Sequence, residues 1–235
     1  MSDPQPRRRT RISEATRRDI HQSARRLLVT QGGAAVTVNA VARDMGMRGP
    51  SLYHYYASRQ ALVDSMTAEF FDEAAQAVET AGRARPGATT GERFRSACRA
   101  LRDWALQHPA EFEWVFARPV NEPQQDPASA RQRAGTRFAR VFLDLITEAW
   151  ELAPFPAPDP ATMTDALRAE LDGYARLIGG PLPPEAVYVY VTCWIRLYGH
   201  LCMEVLNQMN FVLTDMEPFF EQCLDELLAT LSMGP

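Results

Sequence analysis

Apolar residues recur along this chain at three- and four-residue intervals, and no segment alternates as a strand does. Ser13 reads as the N-cap of a first helix running to about Gln31, with Ile20, Ala24, Leu27 and Leu28 on one stripe. Gly32 and Gly33 end it. Thr37 then caps a short helix, Val38 to Met45, with Val38, Val41, Ala42 and Met45 inward. Gly46 supplies the left-handed backbone of a sharp turn, and Pro50 fits the first turn of a third short helix carrying Ser51 to Tyr56. Ser58 caps a longer fourth helix, with Leu62, Met66, Phe70 and Ala74 on one side.

Beyond Thr80 the pattern stays helical. Helices are expected near 92–107, after His108-Pro109 (carrying Phe112 and Phe116), and near 130–152, 161–178, 185–209 and 215–232. Glycine- and proline-rich breaks separate them at 82–91, 118–130, 154–160 and 179–184. The expected fold class is all-α. A flexible basic arm covers residues 1–12, a three-helix helix-turn-helix unit residues 13–60, and a larger helical body residues 61–235.

Charge sharpens that division. The formal net charge of −4 conceals 11 arginines against four acids in residues 1–60, and 14 arginines against 25 acids in the rest. A basic head on an acidic body points to a polyanion partner for the head alone. No stretch reaches the roughly 20 apolar residues of a membrane span. No apolar run follows Arg7 to Arg11, so no secretory signal is expected and the cytoplasm is the expected compartment. Cys98, Cys193, Cys202 and Cys223 form no CxxC pair and read as small buried hydrophobes in a reducing compartment.

In the third helix Leu52 and Tyr56 stand four residues apart and are expected to pack inward. Arg48, Ser51, Tyr53, His54 and Tyr55 are then left near the surface. Exposed tyrosine and histidine on so short a helix call for something that covers them, and a DNA major groove admits such a helix.

The run Val36-Thr37-Val38, Val41-Ala42, Met45-Gly46-Met47, Ser51-Leu52-Tyr53-His54-Tyr55-Tyr56 and Ser58-Arg59, with Leu62, resembles the N-terminal signature of TetR-family transcriptional regulators. The resemblance covers about residues 13–63. It departs at Tyr56, where the family usually has Phe, and at Arg59, where it usually has Lys. Val191 to Trp194, Leu197 to His200 and Glu204-Val205 resemble one of the family's C-terminal domain types more distantly. The resemblance implies a DNA-binding site made of Thr37, Arg48, Gly49, Pro50, Ser51, Tyr53, His54, Tyr55 and Arg59. Thr37 and Arg59 would hold phosphates, and Arg48, Gly49, Pro50 and Ser51 would face base edges. Tyr53, His54 and Tyr55 would touch phosphates, sugars or a thymine methyl, and the arm arginines would enter the adjacent minor groove.

The penultimate helix is apolar almost all round, and the last carries a wide stripe from Met216 to Leu231. Such faces suggest a homodimer through the two C-terminal helices, facing a palindromic double-stranded operator. The resemblance further implies a small-molecule effector cavity, for which Trp104, Phe112, Phe116, Phe138, Trp194 and Tyr198 are the candidate lining. The reading is therefore a ligand-responsive dimeric repressor, with no cofactor, metal or catalytic residue expected. The alternatives are an activator, a thiol or metal sensor using Cys193, Cys202 or His200, and an all-α enzyme with an incidental basic head. No phosphate loop, HExxH or nucleophile elbow supports the enzyme. His200 and Cys202, two residues apart on a helix, do not share a face.

Overall fold

The computed structural model describes residues 5–117 and 129–234, and every regular element among them is helical. The head consists of α1 (Gln5–Gln31), α2 (Val38–Asp44) and α3 (Gly49–Leu52). The connector α4 (Arg59–Arg83) leads into α5 (Thr90–Gln107) and α6 (Pro109–Phe112), which a π-helical turn continues over Glu113–Ala117. The body is completed by α7 (Ala130–Leu152), α8 (Asp165–Ile178), α9 (Pro184–Val205) and α10 (Glu217–Thr230).

Capping fixes most of these boundaries. Thr37 Oγ1 accepts the Ala40 N–H at 3.1 Å, and Ser58 Oγ accepts the Ala61 N–H at 3.1 Å. Thr89 and Glu92 form a reciprocal capping box at the start of α5. Ser129 starts α7, and Gly179, left-handed at φ 67°, closes α8. Residues 118–128 of the expected proline-rich loop lie outside the described residues.

Several boundaries differ from expectation: α3 ends at Leu52, so Tyr53 to Tyr55 form a turn after it, and α8 starts at Asp165, after a separate 3-10 turn over Pro160–Thr162. α1 begins at Gln5, so Ser13 lies inside it and residues 5–12 continue the helix instead of forming a flexible arm. Arginine is a good helix former, Pro6 sits in the first turn where proline is tolerated, and lengthening an existing helix avoids a new nucleation cost. At the other end α9 stops at Val205, four residues short of the expected 209. Asn207 takes a left-handed backbone (φ 54°), and its N–H donates to the Glu204 carbonyl at 3.0 Å, turning the chain away.

α4 is the spine of the molecule. It packs chiefly on α7 and α5, with Leu62, Met66, Phe70, Ala74 and Val78 buried along its length. The head's own core is small: Ile20, Ala24, Val41 and Leu52 are each completely buried or nearly so, and Leu62 joins them to the connector. One continuous apolar core thus runs from the head into the body. None of the described helices is long and apolar enough to cross a membrane.

Candidate nucleic-acid interface

The turn between α2 and α3 sets the candidate surface. Gly46 adopts φ 66°, and the Met47 N–H donates to the Ala42 carbonyl at 2.8 Å, reversing the chain in very few residues. Arg48 then stands extended ahead of α3, with Gly49 and Pro50 in the first turn. Leu52 is fully buried and Tyr56 nearly so, which anchors this four-residue helix from below. The same rotation leaves Tyr53 53% exposed, Arg48, Pro50 and His54 exposed, and Gly49, Ser51 and Tyr55 half-buried. Thr37 is half-buried at the cap of α2, and the exposed Arg59 donates Nε–H to the Val36 carbonyl at 3.1 Å. That bond uses one of the guanidinium's five donors. The nine residues expected from sequence to face DNA are therefore all exposed or half-buried, eight in the head and Arg59 at the start of α4.

The electrostatics favour an anion. Asp44 is occupied by Ser23 Oγ at 2.5 Å and Arg26 at 2.6 Å, and these bonds hold its carboxyl below the usual range. Arg43 and Arg48 are exposed and have no carboxylate partner among the described residues. Positive charge is thus unspent beside α3, where the acid nearest in sequence is already paired.

Beneath this surface lies a polar network that the sequence pattern did not reveal. His21 on α1 pairs through Nδ1 with Glu69 on α4, and its Nε2 meets the Tyr56 hydroxyl at 2.7 Å and Ser65 Oγ at 3.1 Å. One ring nitrogen thus faces the carboxylate and the other the two hydroxyls. The hydroxyl that distinguishes Tyr56 from the usual phenylalanine is therefore used, linking the end of the recognition segment to the connector. Arg17 also lies over the Tyr56 ring at 5.1 Å. Further along α1, Arg25 donates two bonds to Glu73 (2.7 and 3.0 Å) and one to Glu111 (2.5 Å). Glu111 is only 3% exposed, so one head arginine clamps both α4 and α6. The signal was present as a run of charges on α1. Only the tertiary arrangement says which acids they meet.

In the body, five of the six expected cavity residues converge. The Phe116 ring lies 5.1–6.4 Å from those of Phe112, Phe138, Trp194 and Tyr198, and Phe71 and Phe142 extend the group. The Tyr198 hydroxyl donates to the Phe116 carbonyl, and burial pushes its pKa up to about 12, keeping it protonated. Trp104 does not join them. Its ring stacks on His108 at 5.5 Å beside an open groove along α4 that Glu69, Glu73 and Gln76 also line.

Cys98 and Cys193 are buried as expected, whereas Cys202 and Cys223 are half-buried. Burial raises the pKa of Cys98, Cys193 (to about 11), Cys202 and Cys223, and all four cysteines are free. No group of three or more metal-ligating side chains occurs among the described residues.

Comparison with known proteins decides the family. Residues 20–66 match a model described as bacterial regulatory proteins of the tetR family. Residues 94–227, more than half the chain, match one described as a tetracyclin repressor-like C-terminal domain. The chain belongs to the TetR family. Among its relatives is the HTH-type transcriptional regulator Rv1816 of Mycobacterium tuberculosis, 24% identical over 218 residues and covering 91% of each chain. A solved regulatory protein, SCO4313, superposes with a TM-score of 0.71 at 26% identity, covering 93% of this chain and 98% of the other. BioQ bound to its natural double-stranded DNA operator shares the fold, with a TM-score of 0.52 at 19% identity, covering 91% and 97%. This TetR-family protein is accordingly a helix-turn-helix DNA-binding regulator of transcription, and its all-α architecture is the family's two-part fold.

Proposed function

We propose that this regulator is a homodimeric repressor that grips a palindromic operator through α2 and α3 and is released by a small, largely apolar effector. The observation that carries the DNA reading is α3 itself: Leu52 is fully buried while Arg48, Tyr53 and His54 face solvent on the most basic part of the chain. Arg48 reads a guanine edge, and Thr37 and Arg59 hold phosphates on either side. Gly49, Pro50 and Ser51 lie against base edges, and Tyr53, His54 and Tyr55 contact the backbone or a thymine methyl. BioQ, with its operator bound, supports that docking by likeness of fold.

The dimer reading rests on α9 and α10. Tyr188, Ile195 and Met203 are exposed on α9, as is Phe219 on α10, whereas Val187, Cys193 and Leu197 on α9 are buried against the body. A helix apolar on both sides fits a body on one and a second copy on the other. The aromatic cluster around Phe116 is the proposed effector site. An effector that separates those rings shifts α6, and with it Glu111 and the Arg25 clamp on the head. A differential affinity of about 1–3 kcal/mol between the two arrangements suffices for regulation. The regulator works in the cytoplasm, where bacterial DNA is held.

Titration of operator binding against salt tests the head. Arg59→Ala should flatten the slope of log K against log salt by about 0.9 for each phosphate left without its cation. Arg48→Ala should weaken the preferred site far more than a random duplex. Unchanged slopes and unchanged preference in both variants would remove α3 from the interface.

A further inference from the structure

Beside α3 stands a polar side chain that the sequence pattern did not single out. Asn39 lies in the first turn of α2, exposed, and none of the hydrogen bonds among the described residues engages its amide. Its Oδ1 sits 2.9 Å from the point where a Cβ on Gly49 would stand. Gly49 has an ordinary helical backbone and no positive φ, so conformational freedom does not explain the glycine. What the missing Cβ leaves is room for the Asn39 amide, laid across the start of α3 one residue from Arg48.

We propose that Asn39 is a base-reading residue, and that Gly49 is there to seat it. The proposal rests on the groove-facing assignment of α2 and α3. An asparagine amide offers an acceptor and a donor side by side, the complement of the N6 donor and N7 acceptor of adenine in the major groove. Arg48 offers donors only and matches guanine. The two side chains, held apart by the glycine, read different base pairs in the same half-site. Gly49 then determines specificity by positioning Asn39, and its own contact with DNA is secondary.

The test is selection from a randomised duplex library with the full-length protein and four variants, followed by affinity measurement on the wild-type consensus. Asn39→Ala should relax one A·T position per half-site, distinct from the position Arg48→Ala relaxes, with an affinity loss of about tenfold. Asn39→Asp keeps the acceptor and the fit over Gly49 but loses the donor, so the preference at that position should move from adenine toward cytosine. Gly49→Ala displaces only the far end of a flexible side chain, so its melting temperature should hold while the same A·T position relaxes. If Asn39→Ala selects the wild-type consensus and binds it within twofold, the proposal is overturned. If Gly49→Ala relaxes the Arg48 position instead, Gly49 acts on Arg48 and the seating argument is overturned. Failure of the wild-type protein to enrich any duplex would overturn the groove-facing assignment itself, and this proposal with it.

Discussion

The head and the body leave opposite kinds of side chain in solvent. On α3 and its flanks the residues that escape burial include an arginine, a proline, a tyrosine and a histidine. On α9 they are chiefly Tyr188, Ile195 and Met203, with Ile195 62% exposed, beside Thr192 and an Arg196 already paired with Glu226. Polar aromatics beside unpaired cations suit a hydrated polyanion with base edges, and aliphatic side chains suit a dry contact with a similar face. Charge follows the same division. Head arginines are partly unspent, whereas in the body Arg93, Arg95, Arg99, Arg102, Arg137 and Arg140 all meet carboxylates. The lesson is that arginine content alone does not mark a nucleic-acid surface. What marks it is unpaired arginine gathered beside exposed tyrosine and histidine, since the isolated Arg176 of α8 is also exposed without a carboxylate partner among the described residues.

The largest effects should come from breaking the pairing on the body side. Arg102 and Glu204 form a largely buried pair at 2.6 Å, with His200 3.6 Å from the same carboxylate. Glu204→Gln leaves Arg102 without its counter-charge and should cost about 3–5 kcal/mol, a drop of about 10 °C in melting temperature. Operator affinity at low temperature should hardly change, because no head residue touches this pair.

Next in size is the dimer face. Ile195→Arg puts a charge in the centre of the proposed contact. Light scattering should report a fall from twice the 26.4 kDa chain mass to once, and affinity for a full palindrome should drop at least tenfold. A half-site duplex should bind as before. An unaltered mass would place the dimer elsewhere.

Acid should expose the same contrast. Burial opposes ionisation of Glu204, but the neighbouring His200 and Arg102 prevail and hold its pKa at about 2. Because that value lies below the ordinary one of 4.5, the group's contribution is complete above pH 4.5 and is lost as pH falls toward 2. On the connector α4 Glu69 is also held low, first by its hydrogen bond with His21 of the head. Thermal melts of the wild type between pH 6 and pH 2.5 should therefore show falling stability below pH 4.5, and Glu204→Gln should flatten that dependence.

The smallest effect sharpens the head. Tyr56→Phe removes the hydroxyl that meets His21 and Ser65 and should cost about 1 kcal/mol. It should shift melting by only a few degrees and leave base preference in a randomised selection intact. A changed preference would mean that the His21 network sets the orientation of α3.

Much of this was legible in the chain. The caps at Thr37 and Ser58, the glycine turn at Gly46 and the inward pair Leu52 and Tyr56 are local features, and local chemistry decides them. The start of α1 was not legible, because the pattern marks where an apolar stripe begins and not how far a polar helix runs ahead of it. Sequence also did not say which aromatics group together, and Trp104 lies apart from the other five, on His108. The pairings of His21 with Glu69 and of Arg25 with Glu111 join positions 48 and 86 residues apart. No spacing rule reaches that distance. Nor does sequence reveal Asn39, whose neighbour Gly49 looks like any other turn glycine.

Whether two copies of the head read DNA through α3 is decided by selecting wild-type protein against a randomised duplex library at physiological salt. The consensus recovered should be palindromic, with half-site centres one helical turn, about 10 base pairs, or a multiple of that apart. Recovery of no preferred sequence, or of one with no two-fold repeat, would contradict a paired α3 reading the groove.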